Sequence, residues 1–365
     1  MSRSPKSSGR SPGKPASKSQ KPASARALGH RLKLSPVADI LGGTPPALPA
    51  VGSVSLDKLV VPPVPPKEPT EDEVLEAYVQ RVRLACPRRE RAAKEPLALG
   101  DDVTLDVVAF RGETLVPFSF RRAWETVVEP SPFWPGLFEA LVGLPVGESA
   151  TMKVTLPKDA KVLPGETVAV TAVVHRAAEV TLPEGGAEAA FATLGLGDTF
   201  EATLVALVRE LAVERLEDAE GAWSQAVLGA FAKRWTGEVP PALVDAEVER
   251  AWARTEGTMM SEAGLSADVQ QQSLAQWKAD PETRAELEAR LRLELALRAL
   301  GEAAPPTLTK ESVLRQLVPV AEDMGFSPEQ LEAALGSNKA MAEQLTWAAF
   351  RLMLVERVLA AAITA

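Results

Sequence analysis

Apolar positions along this 365-residue chain follow two different periods, and the change of period divides it. Thr70 followed three residues on by Glu73 has the spacing of a helix capping box, and Val74, Tyr78, Val82 and Leu84 come after it. One amphipathic helix is therefore predicted from Thr70 to about Cys86, ended by Pro87. From Leu99 to Glu179 the β-branched, partly alternating runs GDDVTLDVVAF, ATMKVTLP and ETVAVTAVVH predict strands. Among them, FWPGLFEALVGLPVGES opens a short helical stretch at Pro135 and Gly136, and Gly143 and Gly147 close it and the next turn. A short strand is also expected at Val54 to Val61, stopped by the run Pro62 to Pro66.

After Pro183 to Gly186 the period lengthens to that of helices, separated at Gly237 to Pro241, Gly257 to Ser266, Gly301 to Pro306 and Gly325 to Pro328. Leu287, Leu291 and Leu295 make one stripe, and Met341, Leu345, Ala348, Leu352, Val355 and Leu359 another. Trp347, Phe350, Leu354 and Val358 add a second stripe to the last helix, which must then be buried or meet another chain. Pro241 to about Met260 and Ala267 to Leu300 are predicted as antiparallel helices around the loop SEAGLS, one arm of a cradle. The fold class expected is α+β and multidomain: a small antiparallel β-rich domain plus an all-α domain with helical arms. The boundaries fall at 1–52 (tail), 53–96 (linker strand and helix), 97–182 (β-rich domain) and 187–365 (helical domain).

Charge changes the picture at the start of the chain. Met1 to Ala38 holds nine Lys or Arg and no acid, while the remaining 31 basic residues face 49 acids, so an acidic body of about −18 follows a basic tail. The tail is rich in Ser, Pro, Lys and Gly, buries too little apolar surface to offset its ordering entropy, and is expected to be disordered. Its cations from Arg3 to Lys33 offer a contact for ribosomal RNA or other nucleic acid through phosphates; a plain solubilising leader fits equally well.

Conventional site chemistry is sparse. One cysteine, Cys86, and two histidines, His30 and His175, exclude disulfides, zinc clusters and nucleophile triads, and no metal or cofactor is expected. The neighbours Asp101 and Asp102 read as a turn and not a carboxylate dyad. The basic start never reaches an apolar segment, and Leu345 to Ala362 is interrupted by Arg351, Glu356 and Arg357, so a cytoplasmic protein without membrane contact is expected.

Taken in order, GDDVTLDV, the turn at Gly112, FWPGLFEALVGLPVGES, MKVTLP and GETVAVTAVV resemble an FKBP-type peptidyl-prolyl isomerase domain of the trigger-factor kind. SLDKLVV with TEDEVLEAYVQRVR resembles the linker before that domain, and VPPALVDAEVERAW and NKAMAEQLTWAAFRLMLVERVLAAA resemble the family's C-terminal helical chaperone domain. The resemblance covers about Ser53 to Ala365. The family's ribosome-binding domain, with its Phe-Arg-x-Gly-Lys loop, finds no counterpart.

The resemblance implies an isomerase pocket, where a twisted X-Pro amide crossing a barrier of roughly 18–20 kcal/mol would need a dry aromatic wall. Carried over one position at a time, the wall falls on Val107, on Leu115 and Val116, on Phe133 and Trp134, on Leu137, with Phe138 next to it, and on Val170. Phe133, Trp134, Leu137, Leu115 and Val170 are thus the candidate catalytic set of a degenerate pocket that is largely aliphatic and has lost its acid. Phe133 and Trp134 fit a retained core equally well.

The resemblance also implies unfolded or nascent polypeptides as partners. Trp252, Met259, Met260, Trp277, Phe326 and Trp347 are the candidate contacts for them, and each fits an inward-packed role as well. The functions expected are a chaperone with a doubtful isomerase domain, a working prolyl isomerase, or a ribosome- or RNA-associated factor acting through the tail.

Overall fold

The computed structural model describes residues 48–184, 187–337 and 339–364. The basic segment Arg3 to Lys33 lies outside the described residues. Residues 48–52, counted with the tail above, already belong to the fold: Leu48 packs on the helical core and Gly52 sits so close to Trp235 that a Cβ would come within 2.7 Å of its ring nitrogen.

The incoming strand is shorter than Val54 to Val61. Lys58 takes a left-handed φ of 50°, which breaks the extended run, and only β1 (Leu59–Val61) remains a strand. It pairs in parallel with β8 (Ala362–Thr364), Leu59 opposite Ala362. Leu59 and Val61 are buried in the helical core, and Arg234 donates to the carbonyls of Asp57 (2.6 Å) and Lys58 (2.8 Å).

Helix α1 (Glu71–Ala85) starts where the capping box places it: Thr70 Oγ1 accepts from Glu73 N, and Glu73 Oε2 accepts from Thr70 N at 2.9 Å. Val74, Tyr78 and Val82 bury their side against the long helix Phe200–Ala232. Arg81 pairs with Glu210 at 2.7 Å, Arg215 pairs with Glu73, and the rings of Tyr78 and Phe200 meet edge-on at 5.1 Å. This two-helix stalk joins the β-domain to the helical body.

The β-domain sheet comprises β2 (Arg88–Glu90), β3 (Asp102–Arg111), β4 (Thr114–Leu115), β5 (Arg121–Val127), β6 (Ser149–Thr155) and β7 (Thr167–Val180). Antiparallel β3 and β7 form its centre, β5 and β4 pair with β3, and β6 and β2 pair with β7. β2, placed above in the linker, belongs to this sheet. Along β3 alternate residues Val103, Leu105, Val107 and Ala109 are buried, the period of two read from the sequence. They pack against the short helix α2 (Leu137–Leu141). Asp101 is held by Arg91, and Asp102 by Arg83 and Arg88, so the acidic pair is an ion-pair anchor. His175 lies on β7, 3.0 Å from Asp106.

The helical portion runs through α3 (Phe191–Leu194), α4 (Phe200–Ala232), α5 (Pro241–Trp252), a π-helical turn at Ala253–Gly257, α6 (Thr258–Glu262), α7 (Ala267–Ala279), α8 (Pro281–Ala303), α9 (Lys310–Asp323), α10 (Pro328–Ser337) and α11 (Lys339–Ala361). The helix predicted over Ala267 to Leu300 breaks in two. Pro281 lacks an N–H and forces Asp280 into extended backbone (ψ 116°), whose carboxylate then caps α8 through Thr283 N at 2.7 Å. Helices α5 to α8 form a proximal arm, and α9, α10 and the start of α11 a distal one.

Leu287, Leu291 and Leu295 line the body against α4 and the end of α11, as their spacing foretells. Inside it, Glu294 of α8 pairs with Arg351 of α11, so one buried ion pair ties the two arms together. Burial pushes the Glu294 carboxyl up to about 7, against the pull of Arg351. The whole is an α+β multidomain chain.

Candidate functional site

The carried-over pocket residues do not share one recess. Leu137 and Val170 are fully buried in the β-domain core, with Val107 and Val116 beside them. Trp134 packs half-buried on that core, while Phe133 next to it is 76% exposed. A solvated phenylalanine and a filled aliphatic interior leave no dry aromatic wall at these positions. The aromatic inside this core is Phe138, 2% exposed, and the half-buried Trp124 of β5, which nothing in its spacing singled out, meets it edge-on at 5.6 Å.

Leu115 lies elsewhere. With Phe120 it is buried beneath Met260 of the proximal arm, and Met259, Leu265 and Val269 pack around them. The arm tip therefore rests on the β-domain. Leu115 N–H donates to Gln272 Oε1 at 2.8 Å, and Gln276 Nε2 donates to the Leu115 carbonyl at 2.7 Å. Arg122 pairs with Glu262, Lys161 meets Glu282 at 3.2 Å, and the rings of Phe118 and Trp277 lie 6.1 Å apart. Met260, reasoned above as a surface contact, is fully covered by this docking.

A polar network stiffens the same arm. Glu256, buried in the π-helical turn, accepts from Ser273 Oγ at 2.9 Å and from Trp277 Nε1 at 2.7 Å. Trp252 Nε1 donates to Ser273 Oγ at 2.8 Å, and Gly257 lies flat against the Trp252 ring, where a Cβ would come within 2.8 Å. Trp252 and Trp277 thus hold the two sides of the arm together, each half-buried.

The distal arm is different. Val313, Leu317, Leu331 and Ala349 seal its interior, yet Met324 is 70% and Phe326 51% exposed, with Leu308 and Met341 also in solvent. A groove of about 690 Å³ runs over Leu314, Val318 and Pro319 between Lys310, Arg315 and Glu332. A second, of about 400 Å³, is lined by Leu308, Trp347 and Phe350 with Lys339 and Glu343 at its rim. Trp347 is half-buried and stacked on Phe350 at 5.4 Å, and Phe326 is open.

Among the described residues no group of His, Cys, Asp or Glu is arranged to hold a metal ion, and no helix is long and apolar enough to cross a membrane.

A family model described as the C-terminus of the bacterial trigger factor protein matches residues 204–360. Trigger factor of Lysinibacillus sphaericus (strain C3-41) is 24% identical over 280 residues, 76% of this chain and 65% of that protein. Trigger factor of Bradyrhizobium sp. (strain ORS 278) is 31% identical over 281 residues, 72% of this chain and 58% of its own length. The chain spans less than two thirds of these curated relatives. A solved structure of the trigger factor chaperone overlays 85% of this chain and 73% of its own at 17% identity, with a TM-score of 0.32. The C-terminal helices thus match the trigger factor family model, and most of the chain's length is similar to these trigger factors.

Proposed function

We propose that this protein is a chaperone that holds unfolded or nascent polypeptide on its helical arms, and that its β-domain serves as scaffold and not as a prolyl isomerase. The observation that carries the reading is the open apolar surface of the distal arm, where Met324, Phe326 and Met341 stand in solvent and Leu308 lines one of two apolar grooves with charged rims. Apolar side chains grouped within a charged frame give an unfolded segment a place to rest while discouraging self-association. Methionine suits the role because its unbranched side chain adapts to many shapes. The acidic body adds attraction for basic segments.

Two measurements test it. Aggregation of a diluted unfolded protein should be suppressed by the full chain, and Met324→Glu with Phe326→Glu should lose most of that effect; equal protection by the variant overturns the reading. A protease-coupled assay on an Ala-Leu-Pro-Phe peptide should stay at the uncatalysed rate, because the carried-over positions Leu137 and Val170 are aliphatic and fully buried, and Phe133 is in solvent. Turnover that disappears in Trp134→Ala would make the β-domain an enzyme.

A further inference from the structure

We propose that the tip of the proximal arm is a second peptide site, built to take one apolar residue of an extended segment with its backbone held, and that Leu115 of the β-domain occupies it as a built-in competitor. This rests on the chaperone reading and makes it specific.

Leu115 is seated there as a bound peptide would be. Val116 N–H bonds to Ala109 O on β3, so the N–H and C=O of Leu115 face away from the sheet, at the free edge of β4. An open strand edge is the ordinary template for capturing another extended chain. Here two side chains of one helix take the template. Gln272 and Gln276 are four residues apart and so share a helical face, one amide accepting from the Leu115 N–H and the other donating to its C=O. That pair reads backbone alone and imposes no sequence. The apolar side chain meets Met260, with Leu265 and Val269 around it. Main-chain hydrogen bonds beside one apolar pocket are the usual division of labour in recognition of extended peptides.

The contact also carries the marks of a releasable one. It is a few apolar side chains ringed by single ion pairs, Arg122 with Glu262 and the largely exposed Lys161 with Glu282, and such pairs contribute little in water. A segment that competes with Leu115 would free the β-domain from the arm, so that loading of client and opening of the molecule become one equilibrium.

The test uses the full chain and a fluorescent ten-residue peptide with one central leucine and no proline, its affinity read by anisotropy. Removing the competitor with Leu115→Asp should tighten binding by about tenfold, if the closed form holds about nine tenths of the molecules. Arg122→Glu, a surface change that sets like charge against Glu262, should act in the same direction and guards against a folding defect at Leu115. Adding Gln272→Ala and Gln276→Ala to Leu115→Asp should weaken binding by about fivefold or more, through loss of both backbone bonds. Peptide binding that neither Leu115→Asp nor Arg122→Glu changes overturns the competitor and leaves the chaperone reading standing. Absence of peptide binding in every variant, together with no suppression of aggregation, overturns both.

Discussion

The proximal and distal arms spring from one body and have similar chemistry, yet the first turns its methionines onto the protein's own β-domain and the second leaves them in water. Met260 is fully covered and Met324 is 70% exposed, although each lies within a few residues of a left-handed glycine, Gly264 and Gly325. What separates them is polar. The proximal tip carries Gln272 and Gln276 to satisfy a strand edge, whereas the distal grooves are rimmed by Lys310, Arg315, Glu332, Lys339 and Glu343, which stay hydrated. An apolar surface becomes a specific contact when the backbone groups it covers find partners, and remains a general one when only charge surrounds it.

The strongest way to break the comparison is to cut the tie between the arms. Arg351→Leu leaves Glu294 buried without its partner, and chemical denaturation should show a loss of about 3–5 kcal/mol. The same pair predicts a pH dependence. Because the Glu294 carboxyl titrates near 7 in the folded protein against 4.5 ordinarily, the folded state holds the proton more tightly than the unfolded chain. Its contribution to stability is therefore full below about pH 4.5, declines as pH rises toward 7, and is level above it. Glu294→Gln should flatten that part of the stability profile.

Next in size is the covered methionine. Met260→Ala should cost about 2–3 kcal/mol, near the low end for a buried methionine because the site can partly close. Glu256→Ala should follow at about 1–3 kcal/mol, since it leaves Ser273 and the Trp277 indole N–H without their acceptor. The smallest effect belongs to the open arm: Met324→Ala should change stability by no more than about 0.5 kcal/mol while weakening protection of an aggregating client. A covered-site cost at Met324 would erase the distinction between the arms.

Local signals in the sequence were readable where one residue decides one bond. Thr70 and Glu73 mark the start of α1, and the alternation along Val103, Leu105, Val107 and Ala109 marks β3 with its buried face. The break at Asp280 and Pro281 carried its own signal, an N-cap followed by proline, but the leucine stripe that begins at Leu287 reads as if the helix ran through it. The pairing of β1 with β8 joins residues some 300 apart in sequence, and nothing local to either strand announces it. Gln272 and Gln276 look like any solvated helix face, because their partner is a backbone edge with no signature of its own. Leu115 stood out through family resemblance as part of a catalytic wall, and lies instead beneath the arm.

The parallel ribbon of β1 and β8 also sets a timetable. Every strand of the β-domain sheet lies between residues 88 and 180, so that sheet can close while the chain is still being made. Leu59 and Val61 emerge before any of it, yet the helices that bury them run from residue 200 onward and the strand that pairs with theirs arrives only with residues 362–364. During synthesis the helical body therefore remains unfinished longest, and two of its earliest buried side chains spend that interval as unfolded, apolar polypeptide in need of shelter.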